Sequence, residues 1–242
     1  PLYGGARLAH IGRMSLSTIF LAALISTVLP GDVPVTVSDV VTGPSSHVRL
    51  TNAATQPVTA WSLAATTKSD NGRIHREIYT ADGYLSEVTH GLPGATERLE
   101  RLMPGESRQV PLDALQPGTT VDVIAAVLED GTAFGEEDAV AAIFAHRAKE
   151  RDGLKAVVDA FNDVLPAKRG AEALTALRER FTALVQRDQS IPCRAALDAV
   201  QAYQQKTNPD EIDNSLRTYA GFVQKEYALA EKHATRRGAI KN

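Results

Sequence analysis

Between Pro34 and Gly135 apolar side chains tend to recur at every second position, in short runs closed by turn dipeptides. "VPVTVSDV" (33–40), "HVRLTN" (47–52), "VTAWSLAATT" (58–67) and "RIHREIYT" (73–80) alternate apolar with polar residues or are rich in β-branched ones. That is the pattern of strands with one wet face. Asn71-Gly72 separates two of these runs, and Asp130-Gly131 stands between "TVDVIAAVLE" and "TAFG"; such pairs tolerate the positive φ of tight hairpins. Asp82-Gly83, Pro93-Gly94, Pro104-Gly105 and Pro117-Gly118 mark further turns, with proline presetting the first turn position and glycine accepting the second. The spacing predicts about seven or eight strands in an antiparallel β-sandwich over residues 34–135.

After Gly135 the period becomes helical. Val140, Ile143, Phe144, Leu154, Val157, Val158, Phe161, Val164 and Leu165 recur at spacings of three and four until Pro166. Charge from Arg147 to Asp152 interrupts this stripe, so it reads as two helices or as one with a solvated middle. "GAEALTALRERFTALVQRD" repeats the stripe through Leu174, Leu177, Phe181, Leu184 and Val185. A third helix is expected to start near Pro192, which suits a first helical turn. A fourth follows Asn208, a good cap before Pro209, and frays in "KHATRRGAIKN". Short connections between such helices imply an antiparallel bundle over 136–242. The fold expected is thus α+β in two segregated parts: an antiparallel, Ig-like β-sandwich, then a C-terminal antiparallel helical bundle.

Ahead of the first strand, "RMSLSTIFLAALISTVLPGDVP" sets Arg7 and Arg13 before an apolar run from Leu16 to Leu29 that Pro30 and Gly31 break. A basic flank, a short apolar core and a helix breaker make a secretory signal. The run is short against the roughly 20 apolar residues of a membrane span, but an uncleaved N-terminal anchor has the same layout. Residues 1–33 are therefore read as a signal peptide or membrane anchor, with Met14 an alternative start. Either way the rest of the chain is expected outside the cytoplasm: periplasmic, extracellular, or anchored by this segment.

Composition narrows the partners. Of 242 residues 43% are hydrophobic and 23% charged, enough apolar material for packed cores. The net charge of −3 is spread without a strong field: residues 1–135 carry 9 basic against 13 acidic side chains, and 136–242 carry 17 against 16. Neither part offers the positive surface that phosphate backbones require, so nucleic acid is not an expected partner. The single cysteine, Cys193, makes no internal disulfide and reads as a small apolar filler at a helix start.

"VRLTNAATQPVTAWSLAATT", in which a strand ends in Asn and a polar turn leads through Pro to the next strand, resembles the pattern of bacterial exported Ig-like sandwich proteins. "LMPGESRQVPLDAL" is similar to the Pro-Gly turn and strand that follow in such domains. The resemblance covers residues 34–135; it implies export and a sandwich, and no catalytic residue.

Candidate chemistry is sparse. "VLEDGTAFGEED" (127–138) is rich in carboxylates, yet a calcium loop wants oxygen ligands at alternate positions with Gly at six, and here Thr132, Ala133 and Phe134 fall where ligands are needed. The structural reading uses every residue: Asp130-Gly131 turns a hairpin, Thr132 and Phe134 pair back, and Glu136, Glu137 and Asp138 fill a first helical turn, where negative charge meets the positive dipole end. His75, Asp82 and His90 are the candidate metal ligands, with Glu77 on the face of His75, but zinc wants three or four convergent ligands and nothing in the spacing converges these. His146, among Arg147, Lys149, Glu150 and Arg151, reads as part of a wet helical face. Trp61 is expected in the sandwich core, and Tyr219 and Tyr227 on an apolar stripe. Ser45 and Ser46 beside His47 lack the elbow that exposes a catalytic serine. No catalytic residue or cofactor is assigned. The function expected is a non-enzymatic module that binds a protein partner at the cell envelope, with membrane contact only through the N-terminal segment. The alternatives are an exported hydrolase or metal-dependent enzyme with a site between sandwich and helices, and a carbohydrate-binding module.

Overall fold

The structure, a computed structural model, describes residues 33–69, 71–85 and 100–240. The proposed leader and His90 lie outside these residues. The described chain is α+β, with a sheet region followed by a helical region. Strands β1 (Val35–Val41), β2 (His47–Asn52) and β5 (Ser107–Pro111) form a three-stranded sheet in the order β1-β2-β5. Strands β4 (Ile74–Asp82), β3 (Val58–Lys68), β6 (Thr120–Leu128) and β7 (Ala133–Gly135) form a second, in the order β4-β3-β6-β7. The strand pairings within both sheets are antiparallel.

Alternation places one face of each sheet on a shared cluster. Val35, Val48, Leu50 and Val110 of the first sheet join Val58, Leu63, Ala65, Tyr79, Val121, Ala126 and Leu128 of the second. The central strand β3 is buried along most of its length, which explains its small residues Ala60, Ala64 and Ala65 and its paired hydroxyls: Ser62 with Thr80 at 2.8 Å and Thr67 with Thr119 at 2.7 Å. Trp61 shares the face of Leu63 and Ala65 on β3 and packs against the cluster, but it is only partly buried.

Asn52, fully buried at the end of β2, accounts for the strand-terminal Asn of the sequence pattern. Its amide nitrogen donates to the carbonyls of Gln56 and Leu102, each at 2.9 Å, and its side-chain oxygen accepts from the Ala54 amide at 2.8 Å. Its backbone adds bonds to Glu106 and Gly105.

Four helices follow: α1 (Glu137–Val164), α2 (Gly170–Arg187), α3 (Ile191–Tyr203) and α4 (Pro209–His233). The described residues divide into two compact units, one holding those up to Ile143 together with those from Arg236 to Ile240, the other Phe144–Thr235. Within the second unit Phe161 meets Phe181 and Tyr219 edge to face, at centroid distances of 5.3 and 5.9 Å. Asn208 caps α4 through the Asp210 amide, as expected. The cap of α2 is remote from it in sequence: the Gly170 amide donates to Asp213 of α4 at 2.6 Å.

Two expectations are corrected. Of the two readings of the stripe through Arg147–Asp152 the single helix holds, but its middle is not wholly solvated. Arg147 is fully buried, donating to the His233 carbonyl at 3.3 Å and lying over the Phe144 ring at 5.6 Å, while α4 adds the buried Glu226 and His233. Gly153 sits in the interior of α1, where glycine costs about 1 kcal/mol relative to alanine, because a Cβ there would stand 2.5 Å from the Ser190 hydroxyl. The segment after α4 does not simply fray, since the Arg237 amide donates to the Gly131 carbonyl at 3.0 Å.

Replacing Asn52 by alanine leaves the Gln56 carbonyl and the Ala54 amide without this partner and the Leu102 carbonyl with only its bond from Val58. The expected cost is about 2–4 kcal/mol, with the urea midpoint falling and the m-value unchanged.

Candidate functional site

His75 and Asp82 lie at opposite ends of β4, whose register with β3 runs without a bulge from Ile74 to Asp82. Seven residues of strand separate them by roughly 23 Å and turn them to opposite faces. Glu77, on the His75 face, accepts from the Tyr79 hydroxyl at 2.8 Å. Asp82 has different company. Gly83 packs directly against Glu100, and Arg108 donates to the Arg101 carbonyl at 2.9 Å and pairs with Glu106 at 3.0 Å. Burial pushes the Glu100 carboxyl up; Arg108 works against this and the charge of Asp82 adds to it. Among the described residues no group of three His, Cys, Asp or Glu side chains is placed to hold a metal ion.

In the carboxylate-rich segment, Asp130-Gly131 turns the β6–β7 hairpin: Gly131 has φ +87, Leu128 bonds Thr132 at 2.9 Å, and the Asp130 carboxylate accepts from the Thr132 amide at 2.9 Å. Gly135 has φ +105, and a Cβ there would overlap the Ile124 carbonyl, to which Glu136 donates at 2.7 Å. Glu136 therefore stands just outside α1, not in its first turn. Its carboxylate pairs instead with Arg76 of β4 at 2.6 Å, in solvent, where such a pair contributes little. Glu137 and Asp138 do occupy the first turn. Partial burial works to raise the Asp130 carboxyl, but hydrogen bonds from Thr132 and Gln56 and the charge of Arg237 outweigh it and hold it below the usual carboxylate range.

A cleft of about 130 Å³ opens in the helical unit, lined by His146, Lys149 and Glu150 of α1 and by Gln189, Ser190, Ile191, Pro192 and Arg194 at the start of α3. The i, i+3, i+4 spacing of the α1 residues puts them on one face. Opposite them is the amino end of α3, where Ser190 holds the cap position but its side chain caps no amide. Behind it Cys193 is fully buried, and burial pushes its thiol up, opposed by the Ser190 hydroxyl and Arg187. The cleft thus presents basic side chains and a helix dipole and no activated nucleophile. Sequence reasoning placed His146 on a wet face and did not connect it to Arg194, because the two segments are far apart in the chain.

No protein-family model matches this chain, and neither a curated protein nor a solved structure does.

Because the Asp130 carboxyl is depressed by folding, its contribution to stability is present above the unfolded value near pH 4 and is lost as pH falls through the folded value. Asp130→Asn is expected to lower stability at pH 6 and to flatten the decline below pH 4, read by urea denaturation across that range.

Proposed function

We propose that this chain is an exported protein, periplasmic, envelope-bound or secreted, that acts by binding another protein through an Ig-like β-sandwich carried with a helical bundle. The observation that carries the reading is the strand order. Lettered A, B, C, C′, E, F and G along the chain, the strands divide as A-B-E and C′-C-F-G, a division of the Ig-like kind around one inter-sheet core. Trp61 lies on the third strand, on the side of the inter-sheet cluster, as the tryptophan of such sandwiches does, although it is only partly buried. The edge-to-face contacts of Phe161 with α2 and α4 support a bundle.

Export is supported by the apolar run from Leu16 to Leu29, which precedes the first strand. Binding is supported by the edges. Val40 and Val41 on edge strand β1 and Ile74 on edge strand β4 are exposed apolar residues, Ile74 at 71%. Edge strands with apolar side chains facing solvent receive partner strands. Residual basic charge is too low to favour nucleic acid.

The test is fractionation of bacterial cells expressing the full chain with a C-terminal tag, followed by mass spectrometry of the N-terminus. Recovery outside the cytoplasm, with residues before about Pro34 removed or the chain held in the membrane, is the expected result. Cytoplasmic protein with an intact N-terminus would overturn the reading.

A further inference from the structure

We propose that β4 pairs antiparallel with β4 of a second copy of this chain, centred on Arg76, and so joins two four-stranded sheets edge to edge. The inference goes beyond the reading above, in which an edge receives another protein. An open sheet edge offers its backbone groups to another chain unless it is short, bulged or interrupted by proline, or its charges repel a partner. Among the described residues β7 has only three residues, and β5 has five and ends in Pro111. β1 is broken by a bulge between Ser38 and Val41, where Asp39 takes φ +51 and pairs with Arg49 at 2.6 Å. β4 is guarded in none of these ways. Its nine residues contain neither proline nor glycine and keep an unbroken register with β3.

The bonds to β3 fix which backbone groups face outward. The Arg73 carbonyl accepts from the Ser69 amide at 2.9 Å, and the Gly83 amide donates to the Thr59 carbonyl at 2.8 Å. Odd-numbered residues of β4 therefore aim their amides and carbonyls at β3, and Ile74, Arg76, Ile78 and Thr80 aim theirs away. With Arg76 opposite itself across a two-fold axis, Ile74 stands opposite the partner's Ile78, and these pairs exchange about six backbone bonds. Alternation puts both isoleucines on the face away from Tyr79 and the core, where Ile74, 71% exposed in the single chain, is covered. On the other face His75 meets the partner's Glu77, base against acid, on both sides of the axis. Opposite charges so placed favour a strand pair and like charges oppose it. Arg76 meets its own copy, but the Glu136 carboxylate already on it at 2.6 Å offsets that repulsion. The neighbouring registers fit worse. An axis on His75 sets Ile74 against Arg76, and an axis on Glu77 sets that carboxylate against itself and Ile74 against Thr80.

A single strand pair is a small interface of the weak, transient kind. The test is sedimentation equilibrium of the full chain from about 10 µM to 1 mM, with amide hydrogen exchange at both ends of the range. A monomer–dimer equilibrium is expected, in which the amides of Ile74, Arg76 and Ile78 gain protection with concentration. Ile74→Lys, at an exposed position, is expected to weaken the dimer at least about tenfold. Cross-linking reads the register. Under mild oxidation Arg76→Cys is expected to form a disulfide between copies, because opposed Cα atoms lie about 5.5 Å apart. Ile74→Cys, displaced from its own copy by about 13 Å along the strand, is expected to form none. Fractionation tests the export reading and association tests this one, so each can fail alone. The absence of a dimer, a dimer that Ile74→Lys leaves unchanged, or equal cross-linking at the two positions would overturn the proposal. So would protection that gathers on β1 instead, or that these amides already have in the monomer.

Discussion

The side chain of Asn52 is the constraint on which the arrangement of the two sheets depends. It sits where β2 ends and the chain must cross from one sheet to the other, in a fully buried place. There it meets the Gln56 carbonyl, the Ala54 amide and the Leu102 carbonyl, which also accepts from Val58. Only an amide side chain offers two donors and an acceptor over that span. Aspartate would set its oxygens against the carbonyls, and leucine would remove all three bonds. One residue thereby fixes the end of β2, the turn into β3 and the segment before β5, and Leu102 passes the restraint on by pairing with Val58. The apolar cluster between the sheets supplies the driving force for their burial, but it is non-directional. The Asn52 bonds give it a register.

The helical unit shows the complementary case, a charge kept inside. Burying the Arg147 guanidinium carries a desolvation penalty that an apolar side chain in its place would avoid. Its bond to the His233 carbonyl places positive charge at the carboxyl end of α4, where the helix dipole favours it. The stem of the same side chain fills volume beside Phe144. A charged residue thus serves as both filler and cap.

Much of this was legible in the chain, and the rest was not, for identifiable reasons. Period-two and period-three-to-four patterns marked the strands and helices, and Asp130-Gly131 marked its hairpin, because these depend on neighbours in sequence. Arg147 was misread because a charged run looks solvated until the element covering it is known. The α2 cap was invisible because Asp213 lies on another helix. Trp61, expected in the core, does lie on the core face of β3 with Leu63 and Ala65, but its partial exposure depends on the elements around it and not on local pattern. The cleft gave no signal at all: its two walls come from residues near 146–150 and 189–194, and chemistry assembled by tertiary contact leaves no spacing to read. The carboxylates of 127–138, by contrast, were conspicuous and are engaged in turning a hairpin, pairing with Arg76 and starting a helix.

The bond from Arg237 to Gly131 makes the sheet unit discontinuous in sequence. The helical unit is therefore an insertion, and both of its ends are fastened in the unit that surrounds it. A segment pinned at both ends gains less conformational entropy on unfolding than one with a loose end, so the helices borrow stability from the sheets without any change in their own packing. The dependence also runs the other way. During synthesis the Gly131 carbonyl waits for its bond from Arg237 until the four helices between them have been made.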